Sequence, residues 1–145
     1  MIRASRLASA LLATAVLLAT SAFADAPAKP LYDRLGGKEA LNAVVGELWK
    51  VVAADTRING HFAKTKPEIF AGQLVDFLCQ ASGGPCQYKG QDMQAAHTGM
   101  KLSEADFNAL AEDTVVVLDK FKVPAQEKGE VMGMLGGLKG AVVGH

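Results

Sequence analysis

The chain has 145 residues, half of them hydrophobic, and its 15 basic and 15 acidic side chains leave a formal net charge of zero. That length supports one domain built on one core. The balanced charge excludes the basic face that nucleic-acid binding needs, and no internal repeat or long charge run is visible.

Met1 to Ala24 reads as a secretory signal. Arg3 and Arg6 give a positive start, Leu7 to Thr20 is an almost unbroken apolar run, and Ala22-Phe23-Ala24 is a small-x-small cleavage site. The run is too short to span a membrane comfortably and no basic stop-transfer cluster follows it, so the mature protein is expected to be exported, periplasmic or secreted, without a stable membrane span. Residues 25–30, rich in Pro and Ala, form a flexible tether, and residues 31–145 form the folded domain. Cleavage leaves 13 basic and 15 acidic side chains.

The folded part opens with Leu31-Tyr32-Asp33-Arg34-Leu35, a turn of helix stopped by Gly36-Gly37, since glycine accepts left-handed geometry without a Cβ penalty. Lys38 to Ala54 carries Leu41, Val44, Val45, Leu48 and Val52 at helical spacing, with Trp49, the only tryptophan, beside that stripe. Asp55-Thr56 ends it, and Ile58, His61 and Phe62 follow in a turn containing Asn59-Gly60. Thr65-Lys66-Pro67-Glu68 predicts a helix start with Thr65 as the cap. Phe70, Leu74, Phe77, Leu78 and Ala81 then make an apolar face, with Gln73 at its edge. Ser82-Gly83-Gly84-Pro85 stops that helix.

Cys79 and Cys86 flank this stop. No C-x-x-C-H attachment motif and no C-x-x-C redox pair is present. In an exported chain the two cysteines are placed to form a disulfide; two free thiols are the alternative.

A loop through Tyr88 and Gly90 leads to a helical run of about one turn, Met93 to His97, broken again at Gly99. Met93 and His97 share a face. A histidine held on a short turn between apolar helices suits an axial ligand to haem iron, and suits a packed core or surface histidine as well. Ser103-Glu104-Ala105-Asp106 predicts the next helix start, with acidic side chains at the positive end of the dipole. Phe107, Leu110, Ala111, Leu118 and Phe121 supply its core face, and Val115-Val116-Val117 lies within it. Val123-Pro124 breaks the chain. Glu127 to Val143 forms a last helix that five glycines make the loosest, with fraying expected near His145. The sum is an all-α domain of four substantial helices and one very short one.

In this order and spacing the pieces resemble the group I truncated haemoglobins. Leu31 to Gly37 resembles the family's opening. Ala54-Asp55-Thr56-Arg57-Ile58-Asn59 with Phe62 resembles its turn before the distal helix. Ser82 to Pro85, Tyr88-Lys89-Gly90, Met93 and Ala96-His97 resemble its glycine-paired loop and proximal segment, and Val123-Pro124 resembles its last break. The resemblance covers Leu31 to about Val143 and implies a two-over-two helical sandwich around haem b. It implies that His97 is the proximal iron ligand and that Phe62 packs on the haem. Phe70, Leu74, Phe77, Tyr88 and Met93 are then further haem-binding residues. Trp49 falls where the family commonly has a distal Tyr, and Phe70 and Leu74 fall where many members carry Gln. Gln73 falls at a position that in some members reaches the ligand. The expected distal pocket, Trp49, Gln73 and Leu74, is therefore less polar than the family's usual one. The implied function is reversible binding of oxygen, NO or CO at the sixth iron position.

Two other classes stay open on the sequence. One is a haem enzyme, either a nitric oxide dioxygenase, which needs an electron donor that the sequence does not name, or a catalyst of peroxide turnover. The other is a cofactor-free helical protein that binds other proteins. No spacing supports a zinc site from His61, His97 and His145. His61 reads as an exposed turn residue.

Overall fold

The computed structural model describes residues 28–145; the expected secretory signal and residues 25–27 of the expected tether lie outside the described residues. Every regular element of the described chain is a helix. Its elements are α1 (Leu31–Arg34), α2 (Gly37–Ala54), a 3-10 turn (Asn59–Phe62), α3 (Pro67–Ala81), α4 (Met93–His97), α5 (Glu104–Lys120), α6 (Ala125–Gly137) and α7 (Lys139–Val142). The pair α2 and α3 lies over the pair α5 and α6, with α2 packed on both α3 and α5. This is the two-over-two sandwich expected of the sequence. No described helix is long and apolar enough to cross a membrane.

α2 is the centre because its apolar stripe serves two neighbours. Leu48 and Val52 join Ile58, Ala109 and Val117 in one cluster, toward α5. Leu41 and Val45 join Val75 and Cys79 in another, toward α3. Val45 and Val52 are fully buried. A third cluster, Leu31, Leu118 and Val131, seats α1 and α6 on α5. Arg34 adds a polar clamp there, donating to Glu127 at 2.7 Å and Glu130 at 2.6 Å. Its guanidinium holds the Glu130 carboxyl below the usual range.

Local signals explain most helix ends. Gly36 and Gly37 both take positive φ where α1 turns into α2. Ser103 and Asp106 form a reciprocal capping box at the start of α5. Other expectations are corrected. α3 is capped at Lys66 with no side-chain bond, so Pro67 sets its first turn and Thr65 does not cap it. Ala81 is exposed at the end of α3 rather than on its apolar face. Phe121 is 42% exposed, because α5 ends at Lys120 and the chain turns away through Lys122 at φ 53°.

The last helix also departs from expectation. It bends at Leu138, where Gly136-Gly137 give little propensity to continue, and resumes as α7. Its end is tied down rather than frayed. The Lys101 N–H donates to the His145 carbonyl at 2.7 Å, and the Gly144 N–H to the Leu102 carbonyl at 2.9 Å. α7 thus backs the segment that follows α4.

One buried group opposes the fold. Asp113 of α5 is 6% exposed, and its Oδ2 has no hydrogen-bond partner. Its Oδ1 lies 3.8 Å from Arg57, whose nearer partners are Asp55 and Glu112. Burial, then the Asp55 carboxylate, pushes the Asp113 pKa up. A raised folded-state pKa gives stability that is full below the unfolded value of about 3.9 and lost as pH rises through the folded one. Asp113→Asn should therefore stabilise the protein at neutral pH by about 1 kcal/mol, with the gain vanishing in acid. Thermal melts at neutral and acidic pH check this; a variant less stable than wild type at neutral pH contradicts it.

Candidate functional site

α3 carries two apolar faces. Val75 and Cys79 are buried against α2, whereas Phe70, Leu74 and Phe77 are only half-buried. At about 100° per residue, Cys79 points opposite Phe70. Phe70 does not stand alone. Its ring lies 5.3 Å from Trp49 of α2 and 5.5 Å from Phe62 of the 3-10 turn, and Trp49 and Phe62 meet edge-on at 6.1 Å. Three elements thus contribute one aromatic wall. Edge-to-face and tilted pairs at these distances are mutually attractive and hold each other's rotamers. Among the described residues the Trp49 indole N–H donates to no protein acceptor.

Leu74 bridges two core clusters beneath this wall. Gln73 is exposed and the structure does not join it to the aromatic set. It lies on the same side of α3 as Ile69, which is 52% exposed.

Farther along α3, Phe77 meets Tyr88 edge-on at 5.3 Å. Tyr88 is fixed at both ends: its N–H donates to Gln80 Oε1 at 2.8 Å and its hydroxyl to the Gln91 carbonyl at 2.8 Å. Cys79 and Cys86 are bonded, with Cα atoms 5.7 Å apart. This ties the end of α3 to the loop that carries Tyr88.

α4 follows that loop. Asp92 caps it, accepting from the Ala95 N–H at 2.9 Å. Gly99 at φ 86° and Lys101 at φ 52° then turn the chain sharply. On this single turn Met93 and His97 are half-buried. His97 Nδ1 lies 2.6 Å from the Met93 carbonyl oxygen. A carbonyl can only accept, so Nδ1 carries the proton. In the neutral ring Nε2 is then left with an unshared pair and no partner among the described residues. A backbone hydrogen bond of this kind fixes the tautomer and ring orientation of a metal-ligating histidine.

The other two histidines go elsewhere. His61 Nε2 lies 3.5 Å from Asp106, and His145 Nε2 lies 3.1 Å from the Gly140 carbonyl. Among the described residues no three metal-binding side chains converge, which removes the zinc arrangement.

The residues present fit a haem. A flat macrocycle needs wide apolar contact on its faces and one neutral nitrogen donor to its iron. The chain provides half-buried Phe70, Phe77 and Met93 outside the core clusters, Phe62 and Leu74 only partly buried against them, and one imidazole with a free Nε2. Sequence reasoning missed the joining of Trp49, Phe62 and Phe70 into one wall. It also missed the support of the proximal segment by residues 144–145. Neither has a local signature, since one is a three-element contact and the other a backbone pairing.

Comparison with known proteins agrees with this geometry. Residues 30–143 match the family of bacterial-like globins. The group 1 truncated hemoglobin of Tetrahymena thermophila is 39% identical over 100 residues, which are 69% of this chain and 83% of the relative. That of Mycolicibacterium paratuberculosis is 33% identical over 113 residues, 78% of this chain and 83% of the relative. The crystal structure of truncated hemoglobin from Tetrahymena pyriformis in its Fe(III) form superposes with a TM-score of 0.77 at 32% identity, covering 81% of this chain and 100% of that one. The protein therefore belongs to the bacterial-like globins and, among them, to the group 1 truncated haemoglobins.

Proposed function

We propose that this globin holds haem b through His97 Nε2 and binds oxygen or another diatomic ligand reversibly on the opposite, largely apolar side. As a member of its family it is a haem-binding, ligand-binding globin; the assignment of residues and of haem type is our reading. The observation that carries it is the His97–Met93 hydrogen bond, which leaves Nε2 as the free donor on a capped one-turn helix. When bound, the haem iron supplies the position at which the gas ligand attaches.

The chain's own residues do the rest. The Met93 carbonyl holds the imidazole in one tautomer. Phe62, Phe70 and Leu74 keep water from the ligand side, and Phe77 and Tyr88 close the edge of the pocket. Trp49 offers the one indole donor, and it cannot accept a hydrogen bond. Titration of haem-free protein with haemin should saturate at one equivalent and raise the melting temperature, because a ligand that binds only the folded state adds to its stability. Titration with no saturation would contradict the reading.

We also propose that residues 1–24 direct export and are removed. The Cys79–Cys86 bond supports this, since disulfides persist in oxidising compartments.

A further inference from the structure

The Cys79–Cys86 bond joins two parts of the proposed pocket. Cys79 lies near the end of α3, the helix of Phe70, Leu74 and Phe77. Cys86 begins the segment that runs through Tyr88 to α4 and His97. The loop between them lies directly on the bond. A Cβ built on Gly84 would sit 2.7 Å from Cys79 Sγ and 2.6 Å from the Tyr32 ring. The loop is also anchored by a 2.7 Å bond from the Gly84 N–H to the Cys79 carbonyl, a 2.9 Å bond from the Tyr32 N–H to the Ser82 carbonyl, a 2.6 Å bond from the Ser82 hydroxyl to the Leu78 carbonyl, and the fixings of Tyr88 already described.

The two sulfurs have unlike surroundings. Cys79 is fully buried among Leu41, Val45 and Val75. Cys86 is half-buried and lines an open depression of about 550 Å³ with Tyr32, Lys38, Asp76 and Lys89. Lys38 pairs with Asp76 at 3.3 Å, whereas Lys89 has no ion-pair partner among the described residues. An incoming thiolate meets Cys86 first, in a depression that Lys38, Asp76 and Lys89 also line.

We propose that this disulfide is a redox switch, reduced by an external dithiol, that sets how firmly the Tyr88 loop closes the pocket. The inference rests on the haem reading above. In the first step the thiolate of the dithiol bonds to Cys86 Sγ, the Cys79–Cys86 bond breaks, and Cys79 leaves as thiolate and takes a proton. In the second, the reductant's other thiolate attacks its own sulfur of the mixed disulfide and releases Cys86, which is protonated in turn. The protein disulfide gains two electrons and two protons, and the dithiol becomes a disulfide. A neutral thiol suits the apolar site of Cys79, so the packing of α3 on α2 survives. What is lost is the covalent tether at residue 86, which leaves Tyr88 held against Phe77 only by its hydrogen bonds to Gln80 and Gln91.

The test uses the ferrous carbon monoxide holoprotein in two states, oxidised and treated with dithiothreitol. Haem transfer to a haem-free globin acceptor and carbon monoxide rebinding after a light flash are both measured. Reduction should speed haem transfer about tenfold, a part of the constraint that a closed loop of this length supplies, and should alter the rebinding phases. Reoxidation should restore both. A Cys79→Ala/Cys86→Ser variant should be fixed at the reduced values and ignore dithiothreitol. Cys86→Ser alone, which leaves the buried site untouched, should do the same if the double variant folds poorly. Identical kinetics in both states with a normal haem spectrum, or a disulfide that excess dithiothreitol does not open in the folded holoprotein, overturns this inference alone. A protein without haem absorption overturns the haem reading and this inference together.

Discussion

Replacing His97 by Gly should strip the protein of haem, lowering haem affinity by more than about 100-fold, and added imidazole should restore both binding and spectrum. The size follows from the site. His97 is the one described histidine whose ring is held by a backbone carbonyl of its own helix while Nε2 stays free; His61 and His145 spend theirs on Asp106 and Gly140. Glycine leaves a hole in which free imidazole fits, so rescue separates loss of a ligand from collapse of the fold. A His97→Gly protein with normal haem content and an unchanged ferrous spectrum would refute the assignment.

The second large effect concerns the opposite face. Trp49→Tyr should slow oxygen release about five- to thirtyfold, equivalent to roughly 1–2 kcal/mol for a better-placed donor in a dry site. The Trp49 ring is packed on Phe62 and Phe70, so the direction of its N–H is set by the aromatic wall and not by the ligand. A tyrosine keeps an aromatic body in that wall and carries a hydroxyl that rotates to suit. Trp49→Phe should speed release, since it removes the only donor of the wall. Gln73→Leu should change little, because Gln73 lies exposed beside Ile69. Stopped-flow displacement of oxygen by carbon monoxide measures all three. Off-rates equal in wild type, Trp49→Tyr and Trp49→Phe would make Trp49 a packing residue only.

The sequence showed best what is encoded locally. Met93 to His97 could be read as one turn because Gly90 and Gly99 bracket it, and α4 has those bounds. Ser103-Glu104-Ala105-Asp106 marked a helix start, and α5 begins there, with Ser103 and Asp106 forming a capping box. The stripe of α2 was visible at its period, and Leu41, Val45, Leu48 and Val52 are buried. What could not be read depends on partners distant in the chain. Arg34 gave no sign of clasping Glu127 and Glu130, more than ninety residues away. His145 looked like a fraying end because its carbonyl's partner, Lys101, has no side-chain signal for that bond. Phe121 matched the apolar period of α5, but the helix stops one residue before it. Trp49, Phe62 and Phe70 were each singled out, yet their meeting depends on how three elements pack.

The absorption spectrum of the purified protein, taken as isolated, after reduction and with carbon monoxide, tests the central claim most directly. A haem held by a single neutral histidine should give an intense Soret band, and carbon monoxide should sharpen and shift it in the ferrous form, with one haem per chain. A colourless protein that takes up no haemin, or a ferrous spectrum that carbon monoxide leaves unchanged, would contradict the account.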